Sequence, residues 1–129
     1  MINTFLSVAA GGAIGASLRW LVVRWAGQAL GLAFPYGTLM VNVAGSLVMG
    51  VAAVVMMERF PGSWGRLSPF LMTGILGGFT TFSAFSLDTL FLIERGRNLA
   101  AATYVGGSVV LSIFGLWAGL TLARGVWGP

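Results

Sequence analysis

The sequence predicts an all-α membrane protein that crosses the bilayer four times. Apolar residues make up 57% of the chain and charged residues 8%, whereas charged residues are about a quarter of a soluble domain. The mean hydropathy is +0.93, and four apolar segments each approach the roughly 20 residues that a transmembrane helix needs. We therefore expect one four-helix transmembrane domain over residues 1–129, with spans at approximately 3–26, 37–57, 67–93 and 98–122.

The residue types missing from the chain exclude several kinds of chemistry. There is no cysteine and no histidine, which removes disulfides, thiolate or imidazole metal sites and histidine acid–base catalysis. The net charge of +4 comes from seven arginines without any lysine. These arginines are scattered among apolar segments and form no basic patch. We expect neither an enzyme nor a nucleic-acid-binding protein.

The first predicted span carries an arginine, Arg19, about two turns before its end. An arginine inside a bilayer is costly unless it reaches the interface or finds a partner. Two interpretations stay open. The side chain either snorkels to the interface beside Trp20 and Trp25, or it lines a water-filled vestibule.

Pairs of glycines four residues apart occur in three of the spans. This spacing lets membrane helices approach closely, so we expect a compact and oligomeric bundle. The pairs are Gly11 with Gly15, Gly74 with Gly78, and Gly115 with Gly119.

Spans two and four each carry polar residues at positions i, i+4 and i+8, which lie on one face of a helix. Either these residues bond to neighbouring helices, or they line a pathway through the bundle. The amide of Asn42 is the strongest hydrogen-bonding group among them and would not be left facing lipid. The two tracks are Thr38, Asn42 and Ser46 in span two and Tyr104, Ser108 and Ser112 in span four.

The third span contains a run that a continuous helix does not favour: T-G-I-L-G-G-F-T-T-F-S-A-F-S, residues 73–86. Gly77 and Gly78 loosen the backbone, and the hydroxyls that follow compete with helical hydrogen bonds. Irregular backbone at membrane depth is tolerated only where protein or a water-filled cavity surrounds it. We therefore predict that the third helix is broken mid-membrane and that the break is the functional centre. Phe82 and Phe85 share a face if the helix resumes there.

The arginines near the span ends indicate no preferred orientation, although positive residues normally accumulate on the cytoplasmic side. The face holding both termini has three and the opposite face has three, or four with the deeper Arg19. They are Arg59, Arg66 and Arg124 against Arg24, Arg95 and Arg97. This balance leads to the hypothesis that the chain inserts both ways and that oppositely oriented copies form an antiparallel dual-topology homodimer.

The polar groups inside the spans suit an anion better than a cation. Most are hydroxyls, with one amide and one arginine, and all of these donate hydrogen bonds. Cation pathways normally use acidic rings or converging carbonyls, and Asp88 is the only acidic residue well inside a span. The positive edges of the Phe82 and Phe85 rings would attract a small anion, as would helix N-terminal amides at the break.

Four motifs follow one another along the spans: G-G-A-I-G-A-S-L-R-W, Y-G-T-L-M-V-N-V-A-G-S, the run at 73–86, and Y-V-G-G-S-V-V-L-S. Together they resemble the Fluc (CrcB) family of bacterial fluoride channels. The resemblance implies an antiparallel dual-topology homodimer with two fluoride pores in the bacterial plasma (inner) membrane. It also implies a structural Na⁺ at the centre of the dimer, held by the backbone carbonyls of Gly77 and Thr80.

The resemblance also bears on individual residues. Ala84 stands where some relatives have a hydroxyl, which removes one pore-side donor, and Asp88 stands where some have glutamate, which keeps the charge. Arg19 matches the first-helix arginine, and we assign it to a vestibule. The predicted fluoride pore contains Phe82, Phe85, Asn42, Thr81, Ser83, Tyr104, Ser108, Ser112 and Thr38.

The sequence thus predicts a fluoride-specific ion channel that exports cytoplasmic fluoride passively and so reduces its toxicity. Two alternatives belong to other classes of protein. A small four-helix drug/proton antiporter of dual topology would need a membrane-embedded acid, and the first span has none. A non-transporting membrane scaffold subunit would explain the glycine pairs but neither the broken third span nor the two polar tracks. Ion flux in proteoliposomes separates both from a channel.

Overall fold

The computed structural model describes residues 1–127, and this part of the chain is almost entirely helical, without a β-strand. From the N-terminus the helices are α1 (Ile2–Leu30), α2 (Tyr36–Val54), α3 (Trp64–Ser68), α4 (Gly77–Phe79), α5 (Phe82–Glu94) and α6 (Asn98–Trp127). Three shorter helical segments extend or join them: a π-helical turn at Val55–Arg59, a 3₁₀ turn at Pro61–Ser63 and a π-helical segment at Pro69–Leu76.

Four helical stretches in the described residues are long and apolar enough to cross a membrane: Ile2–Leu30, Tyr36–Arg59, Pro61–Glu94 and Asn98–Val126. Each range predicted from hydropathy lies inside one of them. Large apolar side chains cover much of the surface, Val110 and Trp117 among them, as expected for a surface that faces lipid or another chain. The predicted class, an all-α protein with four membrane-spanning helices, is confirmed at this level.

The four stretches pack as two close pairs, α1 against the third stretch and α2 against α6. Glycines allow the close approach. A Cβ atom on Gly74 would lie 2.9 Å from the Cα atom of Gly11, and one on Gly119 would overlap the carbonyl oxygen of Leu47. All three predicted glycine pairs lie at these two contacts, so their role in packing within the bundle is confirmed.

One side-chain contact stabilises each end of the bundle. The guanidinium group of Arg97 donates to the carbonyl oxygen of Ala33 and so joins the α5–α6 connection to the α1–α2 connection. At the opposite end, Arg124 of α6 forms an ion pair with Glu58, with 3.0 Å between Nη2 and Oε1. The connections at both ends are therefore bound to a neighbouring element.

The third stretch departs from helical geometry at two residues. Thr80 has φ −88° and ψ 158°, and Thr81 has φ −152° and ψ 124°, so both are extended. Helix α4 ends just before them at Phe79, and α5 begins just after them at Phe82. This interruption lies within residues 73–86, and it positions the candidate site.

Candidate functional site

A groove of about 380 Å³ lies where the interruption of the third stretch meets α2 and α6. All three elements contribute side chains to its wall. Six of the nine predicted pore residues line it: Asn42, Thr81, Phe82, Phe85, Ser108 and Ser112. The wall is completed by Gly45, Ser46, Met49, Thr80, Val109 and Leu116.

Asn42 binds both backbone groups of Thr81. Its Oδ1 accepts the Thr81 N–H at 2.7 Å, and its Nδ2 donates to the Thr81 carbonyl oxygen at 2.9 Å. The interruption releases the Thr81 N–H from its helical acceptor, and inside a bilayer such a group needs a partner. The interhelical hydrogen bond anticipated for Asn42 is therefore present. An amide nitrogen carries two hydrogens, so Asn42 keeps one donor for the groove.

The side chain of Thr81 caps the N-terminus of α5. Its Oγ1 accepts the Ala84 N–H at 3.1 Å, as threonine commonly does at an N-cap. The Oγ atom of Ser83 lies 3.4 Å from the same oxygen on the exposed side, outside the groove. The N-terminus of α5 thus lies at the groove, and the partial positive charge of a helix N-terminus favours an anion.

Phe82, Phe85 and Tyr104 form a row of aromatic rings beside the groove. The ring centroids of Phe82 and Phe85 are 5.6 Å apart at an interplanar angle of 56°, and those of Phe85 and Tyr104 are 5.2 Å apart at 48°. Phe82 is 78% exposed and Tyr104 is 0% exposed. The row therefore extends from the open surface of the single chain into its core.

Ser108 is the one buried side chain of the described residues whose oxygen has no hydrogen-bond partner. The residue is 5% exposed and lines the groove. Ser112 follows one turn later on the same face of α6. A buried hydroxyl without a partner costs about 1–3 kcal/mol. The groove therefore contains a hydrogen-bond donor that the chain itself does not use.

Tyr104 connects the groove to a second cavity of about 270 Å³. Its hydroxyl donates to Oδ2 of Asp88 at 3.1 Å, and Phe34 meets its ring edge-on at 5.5 Å. Asp88 and Phe34 line the second cavity, together with Thr38 and Arg95. Thr38 and Tyr104 of the predicted pore thus lie beyond the groove, on the side of this cavity.

The carbonyl groups of Gly77 and Thr80 are among those at the interruption that lack the donors of a continuous helix. In an α-helix the N–H groups of Thr81 and Ala84 would bond to the carbonyls of Gly77 and Thr80. Here they bond to Oδ1 of Asn42 and to Oγ1 of Thr81. Released carbonyl oxygens of this kind coordinate Na⁺ in other membrane proteins, so Gly77 and Thr80 fit the role of Na⁺ ligands.

Arg19 reaches the interruption from α1. Its Nε donates to the carbonyl oxygen of Gly78 at 3.0 Å, and the side chain is partly buried. A cation that bonds to the last carbonyls of a helical segment also offsets the negative end of its dipole. Arg19 therefore contacts the third stretch, and both interpretations of Arg19, snorkelling and a vestibule, stay predictions.

Comparison with known proteins places the chain in a family. The model of the family described as CrcB-like protein, Camphor Resistance (CrcB), matches residues 6–120. The chain belongs to the CrcB family. The matched residues reach into all four membrane-capable stretches, so the resemblance noted in the four motifs is confirmed.

Curated CrcB relatives match this chain over almost their whole length. A protein of Cereibacter sphaeroides is 54% identical over 125 residues, which are 97% of this chain and 98% of the relative. One of Paracoccus denitrificans is 53% identical over 127 residues, 98% of this chain and 99% of the relative. One of Rhizobium meliloti is 48% identical over 123 residues, which are 95% of this chain and 98% of the relative. All three are named fluoride-specific ion channel FluC.

Two contributors to the site in this CrcB-family chain were not anticipated. A Cβ atom on Gly45 would overlap the methyl group of Thr80, so only glycine lets α2 approach the break there. Its spacing of three residues from Asn42 could have indicated the shared face. Phe34 lies in the α1–α2 connection, where no helical periodicity exists to place it against Tyr104.

Proposed function

We propose that this protein is a fluoride-specific ion channel that exports cytoplasmic fluoride passively, down its electrochemical gradient, across the bacterial inner membrane. The groove carries the proposal, because it combines the unpaired Ser108 hydroxyl with five other predicted pore residues. The full-length similarity to proteins named fluoride-specific ion channel FluC supports fluoride as the ion. Passive export would reduce fluoride toxicity without any covalent step.

The groove would replace the hydration shell of fluoride with protein groups. The available donors are the hydroxyls of Ser108 and Ser112 and the second Nδ2 hydrogen of Asn42. The edges of the Phe82 and Phe85 rings carry partial positive charge and exclude bulk water. Donors at fixed positions suit an anion of one radius, so larger chloride fits the same path less well.

The rest of the path would follow Tyr104 and Thr38 toward the second cavity, with Ser83 beside the cap of α5. Asp88 accepts a hydrogen bond from the Tyr104 hydroxyl, which partly offsets its negative charge. Arg95 lines the same cavity and supplies a positive charge at that end. Because the single Tyr104 hydroxyl hydrogen goes to Asp88, the positive charge of Arg95 is what would favour the anion in this part of the path.

The functional unit in this proposal is an antiparallel dual-topology homodimer with two pores. In the single chain the groove is open and Phe82 is 78% exposed. A lining that contains extended backbone and unpaired hydroxyls is unfavourable against lipid, and a second, inverted copy would cover it. The equal numbers of arginines near the two membrane faces leave either orientation open to each copy.

A structural Na⁺ at the centre of the dimer completes the proposal. The carbonyl oxygens of Gly77 and Thr80 would hold it, since both have lost their helical donors to Asn42 and Thr81. When bound, the ion supplies positive charge that joins the interruptions of the two copies. In this arrangement the extended residues Thr80 and Thr81 lie at mid-membrane depth, surrounded by protein.

Fluoride efflux from proteoliposomes at a collapsed proton gradient tests the function. Valinomycin carries the compensating potassium current, and a protonophore removes the proton gradient. A channel passes fluoride under these conditions at an undiminished rate. A drug/proton antiporter or a scaffold would release fluoride no faster than protein-free liposomes treated with the same ionophores, and that result would overturn the proposal.

A further inference from the structure

Arg19 belongs to the face of α1 that packs against the third stretch. Gly11, Gly15 and Arg19 are spaced four residues apart and therefore share one helix face. At the two glycines the backbones touch: a Cβ atom on Gly11 would lie 2.9 Å from the Cα atom of Gly74, and one on Gly15 would overlap the carbonyl oxygen of Ile75. Arg19, the third residue on this face, extends its long side chain to the end of α4.

The group that Arg19 reaches there is the carbonyl of Gly78. A continuous helix would supply this oxygen with the N–H of Phe82, but the extended residues before Phe82 prevent that bond. The Nε atom of Arg19 lies 3.0 Å from the oxygen. Gly78 is itself held against α1, since a Cβ atom there would lie 2.8 Å from the carbonyl oxygen of Gly12. The carbonyl therefore keeps a defined position relative to the guanidinium group.

Two side chains thus hold the interruption from two different helices. Arg19 of α1 binds Gly78 before the extended residues, and Asn42 of α2 binds the backbone of Thr81 after them. Only Phe79 and Thr80 lie between these two fixed points. Their carbonyl groups, and the start of α5 at Phe82, have little freedom to change direction while both contacts persist.

We propose that Arg19 is a positioning residue, whose guanidinium group fixes the end of α4 through the Gly78 carbonyl and so orients the Thr80 carbonyl and the start of α5 at Phe82. This inference rests on the proposed fluoride function, because Arg19 would maintain the conformation of the backbone that lines the fluoride path. The role requires the planar, directional N–H of arginine. The rotatable ammonium group of a lysine would keep the charge and lose the direction.

Three variants separate positioning from simple attraction of anions. Arg19→Lys keeps the charge, Arg19→Gln removes it, and Arg24→Gln is the matched control. Arg24 lies on the same helix, is exposed, and stacks over Trp20 at 5.2 Å. Because a lost charge-assisted hydrogen bond changes an equilibrium about tenfold or more, fluoride efflux should fall about tenfold in both Arg19 variants and stay close to wild type in the control.

A purely electrostatic role for Arg19 would give a different pattern of fluoride efflux among the three variants. If Arg19 only attracts anions, Arg19→Lys conducts like the wild type, and the loss in Arg19→Gln matches that in Arg24→Gln and fades as salt is added. That pattern would overturn the positioning role.

Solid-state NMR of the wild-type protein tests the contact without relying on a variant that must fold. Gly78–Phe79 is the only Gly–Phe dipeptide in the sequence. Carbonyl-¹³C glycine combined with ¹⁵N phenylalanine therefore identifies the Gly78 carbonyl through its one-bond coupling. With arginine ¹⁵N-labelled in the same sample, this carbonyl should show a through-space cross peak to an arginine Nε, and Arg19→Lys should lose the peak while Arg24→Gln keeps it.

The NMR and efflux measurements distinguish a wrong positioning role for Arg19 from a wrong proposed function. A missing cross peak in the wild-type protein would overturn the positioning role whatever the flux. A cross peak in a wild-type protein that passes no fluoride would refute the proposed function and leave Arg19 as the residue that fixes the interruption.

Discussion

The Ser108 hydroxyl lies inside the protein, 5% exposed, and no described residue accepts its hydrogen. The Ser17 hydroxyl, by contrast, has a partner, because it donates to the carbonyl oxygen of Ala13 within α1. An unpaired buried hydroxyl lowers stability by about 1–3 kcal/mol. The same hydroxyl becomes favourable once an anion accepts from it, since hydrogen bonds to charged groups are the stronger ones.

Replacing Ser108 by alanine should therefore change stability and flux in opposite directions. Removal of the unpaired group should leave the free energy of unfolding unchanged or raise it by about 1 kcal/mol, and loss of the donor should slow fluoride efflux about tenfold. Thermal unfolding in detergent and efflux from proteoliposomes measure the two effects. Ser17→Ala should leave efflux unchanged. A Ser108→Ala protein with wild-type efflux would remove Ser108 from the path.

Phe82→Ile and Phe85→Ile should each abolish fluoride efflux. Isoleucine retains apolar bulk but has no ring edge with partial positive charge. Phe5→Ile is a suitable control, because Phe5 is exposed near the start of α1, far along the chain from the groove. Unchanged efflux in both groove variants would refute the role assigned to the rings.

At the scale of elements, the interruption between α4 and α5 is stabilised by residues distant in sequence. Asn42 supplies partners for the N–H and the carbonyl of Thr81 across 39 residues, and Arg19 supplies one for Gly78 across 59. Each unpaired backbone group in a bilayer would cost several kcal/mol. The irregular segment is therefore a defined structure, held by side chains of α1 and α2 and by the Thr81 cap.

Asn42→Asp should stop fluoride passage and weaken the fold. A carboxylate still accepts the Thr81 N–H but has no hydrogen for the Thr81 carbonyl, which costs about 1–3 kcal/mol. It also places negative charge on the groove wall, so we expect efflux at the rate of protein-free liposomes. Asn98→Asp, which adds the same charge at the exposed N-terminus of α6, serves as the control. Retained flux in Asn42→Asp would exclude Asn42 from the pore.

The interruption between α4 and α5 has some features that the sequence predicts and others that it does not. Gly77, Gly78 and the hydroxyls after them predicted irregular backbone within residues 73–86, where the extended residues Thr80 and Thr81 lie, because loosened backbone and side-chain competition are local effects. That this segment is a break at mid-membrane depth stays a prediction. The partnership of Asn42 with Thr81 was not predictable in detail. It depends on the axial register of α2 against the third stretch, which hydropathy does not determine.

At the scale of the whole molecule, four hydrophobic segments and their glycine pairs predicted the class of the bundle and its close packing. Long apolar runs and four-residue spacings are properties of a single helix, so the sequence displays them directly. The contact between Tyr104 and Asp88, and the placement of Phe34 over Tyr104, arise between elements. They follow from the packing of the connections and could be found only in three dimensions.

The dual topology of the whole chain can be tested because the sequence contains no cysteine. A single cysteine at Gly62, exposed in the connection between α2 and α3, reports the side of the membrane on which that connection lies. With balanced arginines, a membrane-impermeant maleimide should label roughly half of the protein from each side. Labelling from one side only would exclude the antiparallel dimer.

The central claim, that the groove conducts fluoride, is tested most directly by ion-selective electrodes on proteoliposomes that contain the wild-type protein. The liposomes are loaded with fluoride or chloride, and valinomycin starts the efflux. We predict rapid release of fluoride, with chloride retained as in protein-free liposomes. Fluoride release no faster than from protein-free liposomes, or equal release of both anions, would contradict the account.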